Sequence, residues 1–201
     1  MAFYYLLSHN HQLPSMEHKY QTFWRRFFAG FIDGLIFLPV AVLPELIFDM
    51  SSSRHFIISE IVYFAFWAGY LAIGHGIYGY TIGKKLCKVK LLDKNEKDLI
   101  GVPRALLRES IWILFTVGLL IYLALQTWEK GYFTEEEITQ YQNFQLISAA
   151  WVIIELVTML SNNKRRAVHD FIAGSVVVKA EYVSPLPDDF LAGEEPAPSH
   201  L

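Results

Sequence analysis

At 201 residues the chain is long enough for one ordinary domain. It is 53% hydrophobic and only 18% charged, with mean hydropathy +0.29, which fits a soluble domain poorly, where about a quarter of residues are charged, and the clustering of the apolar residues decides for a membrane protein. A net charge of −3 and a pI near 6.2 argue against a nucleic-acid partner, and the lone Cys87 excludes an internal disulfide.

Residues 1–20 read as a polar cytoplasmic tail carrying His9, His11 and His18. No Cys or acidic pair completes a metal-ligand pattern around them, so no metal is expected. The tail also lacks the basic stretch and apolar core of a cleavable signal peptide, which leaves the first span to act as the targeting signal.

Residues 27–48 form the first apolar run. At the helical rise its 22 residues reach about 33 Å, enough to cross a hydrocarbon core of about 30 Å. Pro39 and Pro44 predict a kink or break in its second half. Asp33 lies deep in this run, and a carboxylate at such a depth is costly unless it has a task. Gly30 and Gly34 form a small-residue face that would permit close helix approach. A short polar turn precedes the second run, residues 56–77, so the two form an antiparallel hairpin. Glu60 lies near the start of the second run and His75 near its end.

The next segment turns basic, with eight Lys and Arg residues from Lys84 to Arg108. Within it Leu86–Leu92 alternates apolar and basic residues, a strand signature. Pro103 followed by Arg104–Arg108 predicts an amphipathic helix at the interface. Residues 111–127 make the third apolar run, and an acidic loop containing Glu129 and Glu135–Glu137 follows. Residues 144–160 make the fourth run, which contains Glu155. Ser175–Lys179 is short and β-branched, so it reads as a strand expected to pair with Lys88–Leu92. Residues 181–201 have the composition of a disordered cytoplasmic tail.

Lys and Arg concentrate before the first span, between the second and third, and after the fourth. The intervening loops hold only Arg54 and Lys130. That asymmetry predicts both termini in the cytoplasm.

Several motifs dissolve on inspection. Gly74-x-Gly76-x-x-Gly79 matches a dinucleotide fingerprint in letters, but a span precedes it and a basic segment follows; it reads as glycines ending a helix. His169–Asp170 is only a dipeptide, with no second cluster to make a metal hydrolase. No nucleophile, metal set or cofactor motif remains, so neither an enzyme nor a cofactor is expected.

Arg26 and Asp33 lie nearly two turns apart on one helix, and the lean of helical side chains stretches any direct pair. Arg26 is therefore expected to meet Asp170, so that exchanging the two charges should recover folding lost in either single change. Asp33 and Glu155 are the acids nearest the membrane interior and the candidates for binding a cation or proton.

Arg26, Ala29 and Asp33 in the first run, Thr81-x-Gly83-Lys84-x-Leu86, Asp93, Arg108–Glu109, and Arg166-Ala167-x-His169-Asp170 with Ala173–Gly174 occur in an order that resembles the RDD family over residues 20–180. Ile82 and Ser175 depart from the usual Pro and Thr. The resemblance implies a multipass membrane protein in which Arg26, Asp33, Arg166, His169 and Asp170 are the family's structural or functional residues. It also implies transport, with cation/proton exchange as one form.

The expectation is thus an all-α membrane protein, a bundle of four transmembrane helices with a small cytoplasmic two-stranded β element. It would lie in the cell (inner) membrane, with the lipid bilayer and either a second copy or another membrane protein as partners. Transport of a small ion or solute is the first reading; an accessory subunit that binds another membrane protein is the second.

Overall fold

The computed structural model describes residues 16–183. The readings made for the histidines His9 and His11 and for the end of the acidic tail fall outside those residues. Helix α1 is the short Met16–Lys19, α2 spans Phe23–Ile47, α3 spans Ser53–Ile73 and α4 spans Ile82–Leu86. Strand β1 is Val89–Asp93, followed by α5 (Gly101–Arg108), α6 (Ser110–Thr127), α7 (Glu135–Leu160), α8 (Val168–Ile172) and β2 (Ser175–Lys179).

Helices α2, α3 with its π-helical extension to Tyr78, α6 and α7 contain 25, 26, 18 and 26 residues, with peak mean hydropathies of 2.0, 1.8, 1.8 and 1.6. At about 1.5 Å per residue even the shortest nearly matches a hydrocarbon core of about 30 Å. Phe28, Phe31, Leu46, Leu114, Leu125 and Leu146 are among the many large apolar side chains left exposed. A water-soluble protein does not leave so much apolar surface uncovered, whereas a bilayer solvates it. These four helices span the membrane.

Helix α2 buries a single stripe, Ala29, Asp33 and Phe37, at spacings of four residues. Of the kink or break expected at Pro39 and Pro44, a break does not occur: both lie inside one continuous helix. Gly30 and Gly34 lie off that stripe, both exposed, and a methyl group added at either would meet nothing within 4 Å. Among the described residues no close packing occurs at either glycine. It occurs instead at Gly83, where an added Cβ would lie 2.8 Å from Asp33 Oδ1 and strike the carbonyl of Ala29.

Helix α7 starts at Glu135, well before the apolar run that begins at Phe144. The carboxylate of Glu137 accepts from the backbone N–H of Thr134 at 2.7 Å and so satisfies a donor at the helix start. Of the acidic residues expected in a loop, Glu129 stays in the connection, while Glu135–Glu137 form the first turn of this helix, where negative charge is favoured.

At one end of the bundle β1 and β2 pair antiparallel, with Val89 opposite Lys179 and Asp93 opposite Ser175. One face of the sheet packs Val89, Leu91 and Val177 on Ile100 and Ala105; the other packs Leu92, Val176 and Val178 on Tyr20. Burial on both faces explains why Val176–Val178 is continuously apolar. The short helices α4, α5 and α8 lie between this sheet and the spans. Gly79 closes the π-helical turn with φ 74°, a left-handed conformation that suits glycine. The expected pairing of the two strands is present, one residue further along in β1.

Candidate functional site

Two polar centres lie between the sheet and the spans. The first is built on Asp33. Its Oδ1 accepts from Tyr70 Oη at 2.6 Å and from the Gly83 N–H at 2.7 Å, and its Oδ2 accepts from Thr81 Oγ1 at 2.6 Å. Tyr70 Oη in turn accepts from the Ile82 N–H at 2.8 Å. Thr81 is the N-cap of α4, so Asp33 faces backbone donors that the first turn of a helix leaves free. The acid ties α2, α3 and α4 together, and only 3% of its surface is exposed. Burial of a carboxylate is tolerable when donors fill it in this way.

The second centre is built on Asp170, which is fully buried. Arg26 donates to its Oδ2 at 2.7 Å, Arg108 to its Oδ1 at 3.1 Å, and Ser175 Oγ and the Ala167 N–H at 3.2 and 3.1 Å. Burial alone would raise the carboxyl's pKa; Arg26, His169 and Arg108 outweigh it and hold the group well below the usual carboxylate range. Arg26 also donates to the carbonyl of Arg165 at 2.8 Å, and Arg166 to the carbonyls of Ser175 and Asp170 at 2.8 and 3.0 Å. Arg26, Arg166, His169 and Asp170, with Arg108 and Ser175, therefore form one clasp joining α2, α5, α8 and β2.

Between the centres lie residues that were noted in the sequence but given no role. Lys84 Nζ and His75 Nε2 are in contact, and His75 Nδ1 stands 3.3 Å from Arg108 Nη1 and 3.5 Å from Glu109 Oε1. Arg108 donates to Glu109 at 2.9 Å. Burial, with Arg108 and Arg26 nearby, pushes the Lys84 ammonium down to about 7. The signals that could have found these residues are the N-capping Thr81 three residues before Lys84 and the charged pair Arg108–Glu109 just before a span.

Glu155 comes from α7. Its Oε1 accepts from the His169 N–H at 3.3 Å, while its Oε2 stands 2.9 Å from His169 Nδ1 without the alignment of a hydrogen bond and is otherwise unpartnered among the described residues. Both Asp33 and Glu155 line a cleft of about 490 Å³ with Arg26, His75, Lys84 and Arg108. They share this space but no direct contact. Among the described residues no three His, Cys, Asp or Glu side chains converge as a metal site would require.

A second cleft, of about 340 Å³, opens in the other half of the bundle beside Glu45 and Glu60. Tyr63, Trp67 and Trp112 line both clefts.

No curated protein and no solved structure matches the chain. A family model described as the RDD family matches residues 20–174, which takes in Arg26, Asp33, the α4 cap and the Asp170 clasp. The chain belongs to the RDD family of membrane proteins.

Proposed function

We propose that the protein moves a small cation or solute across the membrane in exchange for protons. The observation that carries this reading is the pair of clefts, 490 and 340 Å³, that approach each other from opposite halves of the bundle and meet at Tyr63, Trp67 and Trp112. Rotation of a few aromatic side chains would open either cleft toward the other, which is the minimum an alternating path requires.

Of the two acids expected to carry a proton or cation, Glu155 is the better placed. Asp33 has its oxygens filled by three donors, whereas Glu155 Oε2 is buried at the cleft without an aligned hydrogen bond, His169 Nδ1 standing 2.9 Å away. Asp33 on this reading positions α4 rather than titrating. The protein is then a transporter rather than an enzyme. The basic residues gathered at the sheet end support an orientation with both termini in the cytoplasm of a cell (inner) membrane.

Proteoliposomes with a trapped pH indicator test the reading. External sodium or potassium should collapse a preformed proton gradient, and Glu155→Gln should abolish the response while the protein remains folded. An unchanged rate in Glu155→Gln overturns the assignment of the acid. Exposed Gly30 and Gly34, with open space beside them, favour a second reading in which the protein packs on another copy or another membrane protein. Absence of flux together with stoichiometric copurification of a partner would select it.

A further inference from the structure

The cleft distant from the sheet differs in chemistry from the one beside it. No Lys, Arg or His lines it, but Glu45 and Glu60 do. The basic residues at that end are engaged elsewhere: Arg54 donates to the carbonyls of Trp128 and Glu129 at 2.6 and 3.1 Å, and Lys130 pairs with Glu137 at 2.8 Å. Among the described residues neither carboxylate has an ion-pair partner, and both lie on a largely apolar wall. Such a wall focuses a field that draws in cations.

The rest of the lining is aromatic and arranged in pairs. Tyr63 and Trp67 stack at 6.5 Å, Phe56 and Tyr141 meet edge to face at 5.5 Å, and Trp112 and Phe144 lie 6.4 Å apart. Ring faces attract a cation through their quadrupole, most strongly where water is excluded. The buried hydroxyl of Thr116, another lining residue, has no hydrogen-bond partner among the described residues and is available to a ligand.

A bare alkali ion demands several oxygens packed closely round it. A cleft of about 340 Å³ walled by three aromatic pairs is far roomier than that close shell. It has the size and the lining of a cage for an alkylated ammonium.

We infer that this cleft is a binding site for a small organic ammonium cation, held by Glu45 and Glu60 against the paired aromatic rings. Binding there does not depend on the cation moving further, so the site stands apart from the transport reading.

Choline, its uncharged tert-butyl isostere and sodium chloride serve as probes with the full-length protein in detergent, binding being read by calorimetry and by tryptophan emission from Trp67 and Trp112. Choline should bind saturably and its isostere should not. Glu60→Gln and Glu45→Gln should each weaken choline by about tenfold or more without lowering the unfolding temperature. Lack of saturable choline binding overturns the site. Equal binding of the isostere, or displacement of choline by sodium at equal concentration, overturns the ligand class. Since the readout is binding, a failed flux experiment leaves this result untouched.

Discussion

The backbone N–H of Gly83 donates to Asp33 Oδ1 at 2.7 Å, and this bond holds the first turn of α4 against α2. The approach is possible only because residue 83 has no side chain: an added Cβ would lie 2.8 Å from Asp33 Oδ1, 2.9 Å from its Cγ, and against the Ala29 carbonyl. Gly83→Ala is expected to cost about 1–3 kcal/mol through overpacking, plus whatever the weakened hydrogen bond contributes. Gly34→Ala is the control, with nothing within 4 Å of the new methyl; it should be neutral or stabilise α2 by about 0.5–1 kcal/mol. Thermal unfolding in detergent separates the two.

Asp33→Asn keeps the shape of the side chain but replaces one acceptor oxygen with a donor facing donors. Each donor left buried without a partner costs about 1–3 kcal/mol. A lowered unfolding temperature should therefore accompany any loss of activity in this variant, and Tyr70→Phe should reproduce a smaller part of it. Loss of activity at unchanged stability would instead show that Asp33 titrates.

Asp170 serves two arginines, Arg26 at 2.7 Å and Arg108 at 3.1 Å. Asp170→Asn leaves both guanidinium groups buried beside a neutral side chain and is expected to cost about 3–5 kcal/mol, more than Arg26→Gln. The two changes together should cost little more than Asp170→Asn alone, because they remove parts of one cluster. Exchange of the charges, Arg26→Asp with Asp170→Arg, should recover little, since the new guanidinium would face Arg108. That amends the simple swap expected from sequence, and a double-mutant cycle measures it.

Lys84 is buried among Arg108 and Arg26, with Glu109 and Asp33 as opposing charges, and its ammonium is pushed from 10.5 down to about 7. His75 touches it directly. A lysine with a lowered folded pKa releases its proton first in the folded protein. Between pH 7 and 10.5 the unfolded chain thus holds more protons, and stability rises with pH across that window. Lys84→Met should flatten the rise. Unfolding of both proteins at pH 7 and pH 9 gives the difference, in which titrations common to both cancel; parallel slopes would show that Lys84 stays charged.

The spans and the sheet were legible because each repeats a local pattern. Long apolar runs mark the helices, and Val176–Val178 is β-branched throughout. Arg26 and Asp170 were legible as partners because side-chain lean ruled out the nearer acid. The site around Asp33 was not. Its donors lie 37, 48 and 50 residues away, on a span, an N-cap and a short helix that no periodicity connects. For Gly30 and Gly34 a spacing of four identifies a face of the helix but not what that face meets, and none of the described residues packs on it. The start of α7 was hidden because its first turns are polar, and the cap made by Glu137, rather than hydropathy, sets where the helix begins.

Glu96 in the turn after β1 gathers three distant donors. Lys19 and Lys164 reach it at 2.6 and 2.8 Å, and the Tyr20 hydroxyl at 2.5 Å. Burial alone would raise its pKa; these donors outweigh it and bring the carboxyl down to about 2. A carboxylate depressed in the folded state contributes stability above its unfolded pKa and loses it as pH falls toward the folded one. The clasp should therefore hold at neutral pH and weaken between pH 4.5 and 2. Because it lies near the surface, its worth is expected to be only about 1 kcal/mol and to shrink with added salt. Glu96→Gln should remove this acid dependence and speed amide exchange in α1 and at Tyr20, whose ring packs on the sheet. Unchanged exchange there would mean that the apolar contacts of Tyr20 with Leu92, Val176 and Val178 hold the segment without the ion pairs.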